Sequence, residues 1–147
     1  MKGKLAIAGA AASLVMTLGM GTAQAQQKPA PKKGPIYASA EKATYKEVAP
    51  GISKSVLWGD HDKAAYGAFT RFAPGADAGS HTHSNDVWIL VLKGAYVYRD
   101  EAGEKRVGPG EFIRIPAKHK HASGGDKKDG ALFYEESSGK FDLVPAK

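Results

Sequence analysis

The chain has 147 residues, a formal net charge of +6 and no cysteine. Thiolate metal sites, cysteine nucleophiles and disulfides are therefore excluded, and the fold must be held by its core, with or without a metal. The basic excess is modest. Several lysines fall in one proline-rich stretch without interleaved aromatic residues, a pattern that does not suit nucleic acid.

Residues 1–25 have the three parts of a secretory signal peptide. A positive start, "MKGK", is followed by the apolar run "LAIAGAAASLVMTLGM" and by a small-x-small cleavage site, Ala23-Gln24-Ala25. The apolar run is short and small-sided for a membrane span, so a retained anchor is the less favoured alternative. We expect cleavage before Gln26, a secreted or periplasmic protein, and no membrane association afterwards.

Residues 26–40 are predicted to be a flexible linker, because "QQKPAPKKGPI" is rich in Pro, Lys and Gln and has no periodicity. Residues 41–147 then form a single domain. Short runs rich in β-branched and aromatic residues, among them "ISKSVLW", "AYGAFTRFA", "VWILVL" and "ALFYEES", alternate with Gly and Pro turns. No long helical period appears, so the pattern predicts an all-β sandwich or barrel.

Four of the five histidines fall into two His-x-His pairs, His81 with His83 and His119 with His121. Residues two apart in a strand face the same side, so each pair can point toward one ion. Imidazole is the commonest neutral metal ligand and suits zinc, copper, iron and nickel. Two such pairs beside apolar runs predict metal binding. The alternative is a pair of solvated loops or a site that has lost its metal.

The spacing around these histidines resembles the two motifs of the cupins, which are small jelly-roll barrels. The residues that fit the first motif are Gly75, His81, His83 and Gly94, and those that fit the second are Pro116 and His121. The stretches "VLWGD" and "GAFTRFAPGADAGSHTHS" resemble the small, often secreted cupins of the ChrR-like type. The resemblance covers about residues 50–137. It implies an all-β cupin double-stranded β-helix, a jelly-roll barrel in a single domain.

The sequence departs from both cupin motifs. The Glu of the first motif is missing, since Val87 or Trp88 stands in its place and Asp86 lies one position too early. In the second motif Lys118 replaces the Gly and Gly125 replaces the Asn. These departures leave the expected ligand set without its carboxylate.

The resemblance therefore implies that His81, His83 and His121 bind one divalent metal ion. By the same alignment His119 is an additional histidine, either an extra ligand, a partner of the ligands or a surface residue. Asp86 is the nearest carboxylate, and a small loop shift would bring it to the ion or to a histidine N–H as a supporting partner.

Three neutral imidazoles leave the charge of a divalent ion uncompensated and leave coordination positions open. The ligand set resembles that of three-histidine dioxygenases that cleave β-diketones or oxidise thiols. That resemblance implies Fe(II), with Zn, Mn, Ni and Cu as alternatives, and a small anionic or enolisable substrate. A competing hypothesis is a non-catalytic cupin that binds a metal or small ligand as a sensor or scavenger. By resemblance alone we also expect a homodimer.

Two acidic residues on the last long strand run, Glu135 and Glu136, have opposite parity. One of them would therefore face the barrel interior, where a carboxylate can serve as an acid, a base or a fourth ligand. A solvated strand end is the favoured interpretation of both residues, because glutamate is seldom fully buried without a partner.

Overall fold

The protein is described by a computed structural model, which covers residues 34–146. The predicted signal peptide, 1–25, and the first part of the predicted linker, 26–40, lie outside the described residues. None of the described residues forms a helix long and apolar enough to span a membrane.

The described residues form eleven β-strands joined by turns and loops. In chain order they are β1 (Lys46–Ala49), β2 (Ile52–Gly59), β3 (Tyr66–Phe72), β4 (Asp77–Thr82), β5 (Val87–Gly94), β6 (Tyr96–Asp100), β7 (Gly103–Val107), β8 (Phe112–Ile115), β9 (His121–Gly125), β10 (Ala131–Ser137) and β11 (Val144–Pro145). The all-β class predicted from the alternating apolar runs is confirmed.

The strands build two antiparallel sheets. The first has six strands in the order β1-β2-β3-β10-β5-β8, and the second has five in the order β11-β4-β9-β6-β7. Neighbours in space are often far apart in sequence, as where β10 lies between β3 and β5. This two-sheet arrangement with long crossing connections is the cupin jelly-roll barrel, and the predicted fold is confirmed.

The core lies between the sheets and follows from the two-residue period of the strands. Along β10, Ala131, Phe133, Glu135 and Ser137 are buried while the residues between them are partly exposed. The buried apolar side chains that pack together are Ile52, Phe72, Val87, Ile89, Val91, Tyr96, Val107, Ala131, Phe133 and Ile115. Both sheets contribute to this cluster.

One turn before β9 departs from ordinary backbone geometry. Lys118, which stands where the cupin motif has glycine, adopts a φ of 64°. Its backbone N–H donates to the carbonyl oxygen of His83 at 2.8 Å. The left-handed residue thus ties the turn to the loop after β4 and ends the extended backbone before His121. Glycine would adopt this conformation without the Cβ clash, which explains the glycine of the motif.

Candidate metal centre

Three histidines meet at one end of the barrel interior. His81 on β4 is directly paired in register with His121, the first residue of β9, and His83 follows β4 in the next loop. One ring nitrogen from each of the three lies within 4.8 Å of the others. The three residues are buried, with exposed fractions of 2%, 8% and 2% for His81, His83 and His121. Antiparallel pairing of two distant strands therefore creates the cluster.

Each of these imidazoles is oriented by a backbone carbonyl. The Nδ1 atoms of His81, His83 and His121 lie 2.8, 2.7 and 3.0 Å from the carbonyl oxygens of Gly79, Asp142 and His119, respectively. A carbonyl oxygen only accepts hydrogen bonds, so each Nδ1 carries the proton and each Nε2 has a free lone pair. Histidine ligands in proteins are commonly fixed in this way.

The ligating nitrogens of two of these side chains have no partner of their own. Nε2 of His81 and Nε2 of His121 are fully buried and accept no hydrogen bond from any residue that the structure describes. A buried polar atom without a partner costs free energy, and a metal ion supplies the partner for such nitrogens. The residues present therefore fit a divalent metal ion bound by three neutral imidazoles.

Burial also sets the protonation state of the cluster. Desolvation lowers the pKa of His81, and it lowers the pKa of His121 to about 4, outweighing the hydrogen bond to the His119 carbonyl. The nearby histidines lower both values further. Both rings are consequently neutral near pH 7, the form that binds metals without first releasing a proton.

The fourth histidine of the two pairs lies outside the cluster. The Nε2 atom of His119 is 3.1 Å from an Asp100 carboxylate oxygen, and its side chain is 42% exposed. Its ring stacks on Tyr98, with centroids 6.4 Å apart, and Tyr98 in turn stacks on His121 at 5.4 Å. His119 thus supports the cluster through its carbonyl and this stack, and its side chain does not join it.

Asp86 is not brought to the cluster either. One of its oxygens accepts a hydrogen bond from Arg114 at 2.6 Å, and the other accepts one from the backbone N–H of Ala117 at 2.8 Å. These donors, led by the Arg114 guanidinium, hold the pKa of Asp86 below its usual value. Within residues 34–146, the only metal-binding group of three or more side chains contains histidines alone.

His81 and His83 border a small cavity of about 20 Å³. Its wall is largely apolar, with two ionisable side chains, Lys54 and Glu135, besides His81 and His83. Phe141 and Leu143, from the segment after β10, also line it. A larger open groove of about 570 Å³ beside Arg71 and Lys93 contains none of the histidines.

The expectation of a solvated Glu135 is wrong, because this side chain is buried in the barrel. Its Oε1 accepts hydrogen bonds from Lys54 Nζ at 2.5 Å and from the Tyr66 hydroxyl. Its Oε2 accepts a hydrogen bond from the Thr70 hydroxyl at 3.1 Å. Sequence reasoning missed Lys54 altogether, although the alternation along "ISKSVLW" places it on the same face as the apolar Ile52.

The barrel and its histidine cluster define the class of the protein as a cupin. More narrowly, the family described as ChrR Cupin-like domain matches residues 33–138, and the chain belongs to that family. No curated protein matches the chain.

Solved structures share the fold at low sequence identity. The polyketide cyclase RemF from Streptomyces resistomycificus is 18% identical, with a TM-score of 0.64 over 78% of this chain and 87% of that one. KdgF from Halomonas sp. is 22% identical, with a TM-score of 0.55 over 67% and 90%. A chain of the Rhodobacter sphaeroides complex of SigE with the anti-sigma ChrR is 16% identical, with a TM-score of 0.54 over 66% and 49%. Such likeness shows the fold, and function must be argued from the site.

Proposed function

We propose that this protein is an exported three-histidine metalloenzyme, an Fe(II)-dependent dioxygenase acting on a small anionic or enolisable substrate. The observation that carries the proposal is the pair of buried Nε2 atoms, on His81 and His121, that have no partner among residues 34–146. With His83 they offer three neutral ligands and no carboxylate. Such a set suits a mononuclear ion with open coordination positions.

The chain's own residues hold and shield the site. The carbonyls of Gly79, His119 and Asp142 orient the three imidazoles, and the apolar wall of the cavity excludes bulk water. An ion held by His81, His83 and His121 would supply Lewis-acid and redox chemistry to a bound substrate. Neutral ligands leave its charge uncompensated, which favours an anionic substrate over a neutral one.

The test begins with the metal. The protein is purified without a histidine tag, loaded anaerobically with Fe(II), and its iron content is measured beside that of three variants. We expect about one iron per chain in the wild type and in His119→Ala, and its loss in His83→Ala and His121→Ala. His119→Ala is the matched control because it removes a histidine of the same motif whose ring faces Asp100.

Oxygen consumption by the iron-loaded protein is then followed with a β-diketone, a small thiol and a phenol. Consumption that is stoichiometric with substrate loss, and absent in His121→Ala, is the expected result. Iron binding without oxygen consumption on any of these substrates would refute the dioxygenase and leave a metal-binding protein.

A non-catalytic metal-binding cupin is the second candidate, and the size of the cavity favours it. A space of about 20 Å³ holds roughly one water molecule. Phe141 and Leu143 close it on one side. Two results would favour this function over the enzyme. The native protein would contain zinc or copper, and the visible spectrum of its cobalt-substituted form would not change when exogenous anions are added.

A further inference from the structure

Lys54 places a buried ammonium group in the wall of the histidine cavity. The residue is 4% exposed and lies among the apolar side chains of the barrel. Its Nζ donates to Glu135 Oε1 at 2.5 Å and to Thr70 Oγ1 at 3.1 Å. An ammonium carries three N–H donors, so one donor remains after these two bonds. Nζ also lies 4.4 Å from the centroid of the Phe141 ring and 5.5 Å from that of the Tyr66 ring.

The Glu135 carboxylate accepts hydrogen bonds from three side chains. Besides Lys54 it accepts the hydroxyl protons of Tyr66 and Thr70. Three residues, Tyr66 and Thr70 on β3 and Glu135 on β10, thus hold the Lys54 ammonium in one position.

Charge balance indicates what the remaining donor would meet. Lys54 and Glu135 cancel one another, so the described residues that line the cavity would offer a divalent ion at the histidines no net negative charge. A small anion bound to that ion would gain a charge-assisted hydrogen bond from the third N–H of Lys54. Neutral isosteres would gain much less, since they carry no charge to compensate.

Resting on the metal site proposed above, we propose that Lys54 is the residue that selects small carboxylates at the histidine cavity. The Phe141 ring, which lies beside Nζ in this structure, is displaced when the anion enters. Displacement is required because the cavity holds about one water molecule at its present volume of about 20 Å³, less than a carboxylate group occupies. Phe141 is only half-buried, so its ring has room to swing outward.

The test uses the Co(II)-loaded protein, whose visible absorption reports ligands entering the metal shell, with acetate as the probe and acetamide as its neutral isostere. The informative variant is Lys54→Met with Glu135→Gln, because removing the lysine alone would strand a buried carboxylate. Lys105→Met, an exposed lysine on β7, is the matched control. Cobalt affinity is measured first for every variant.

We expect the wild type and Lys105→Met to bind acetate equally and far more tightly than acetamide. The double variant should bind cobalt normally and acetate roughly ten- to a hundredfold more weakly, the worth of one charge-assisted hydrogen bond. Phe141→Ala should tighten acetate binding in both backgrounds, because it enlarges the cavity, but more in the wild type, where it also opens access to the Lys54 ammonium.

The two proposals fail in different ways. Normal cobalt binding with unchanged acetate affinity in the double variant would overturn the role of Lys54 and leave the metal site standing. The same role is refuted if Phe141→Ala tightens acetate binding equally in both backgrounds. If the wild type binds no cobalt, the proposed metal site is refuted, and the proposed role of Lys54 is refuted with it.

Discussion

The buried pair of Lys54 and Glu135 makes a strong prediction about stability. Replacing Glu135 by Gln keeps the shape and most hydrogen bonds but removes the charge that compensates the buried ammonium. Breaking a buried pair in this way typically costs about 3–5 kcal/mol of unfolding free energy. The loss would be a large fraction of the total stability of a domain, which is about 5–15 kcal/mol.

The protonation of Lys54 sets an upper limit to that cost. Burial lowers the pKa of Lys54 from its ordinary 10.5, and Glu135 partly restores it. Without Glu135 the lysine can become neutral on folding, and at about 1.4 kcal/mol per pH unit this costs about 5 kcal/mol at pH 7. The folded-state pKa is then depressed, so the unfolded chain binds the extra proton and stability rises with pH toward 10.5.

The assay is urea denaturation of the metal-free wild type and Glu135→Gln at pH 7, 8 and 9. We expect the penalty of the substitution to shrink by about 1.4 kcal/mol per pH unit. Glu136→Gln, on the neighbouring and outward-facing position of β10, is the control and should change stability by less than about 0.5 kcal/mol. A penalty for Glu135→Gln below about 1 kcal/mol at pH 7 would refute the buried ion pair, and a penalty that does not vary with pH would refute the loss of the Lys54 proton in the folded variant.

Three further predictions concern the metal end of the barrel. In the metal-free protein the pKa of His121 is about 4, against 6.5 for an ordinary histidine. Between these two pH values the unfolded chain therefore binds a proton that the folded chain does not. The unfolding free energy of the wild type should therefore fall by about 3 kcal/mol more than that of His121→Asn between pH 6.5 and 4. Equal pH profiles of unfolding free energy for the two proteins would contradict this. Lys118→Gly should raise the thermal midpoint by relieving up to about 1 kcal/mol of left-handed strain, whereas Lys118→Ala should not. Asp86→Asn should leave the metal content unchanged, because Asp86 is bonded to Arg114 and Ala117; loss of metal would place Asp86 at the site.

The sequence correctly predicts that both histidines of the first pair, His81 and His83, lie in one cluster. For the second pair the prediction holds for His121 and not for His119. His81 belongs to β4, and His83, just after it, still reaches the same cluster, as the two-residue period suggests. The same period was applied to His119 and His121, yet β9 begins only at His121. His119 lies in the turn just after left-handed Lys118, so its ring points to Asp100. The resemblance, which singled out His121, was the better guide.

The sequence by itself determined the strand alternation, the turns and the all-β class, because these depend on local period and on Gly and Pro punctuation. It also identified the histidines that meet in the cluster. Only the tertiary structure decided that Lys54 and Glu135, 81 positions apart, face each other inside the barrel. Burying a single charge is unfavourable, so the local sequence around Lys54 gives no reason to expect it in the core. Only the long-range pairing of β2, β3 and β10 supplies the partner that stabilises it there.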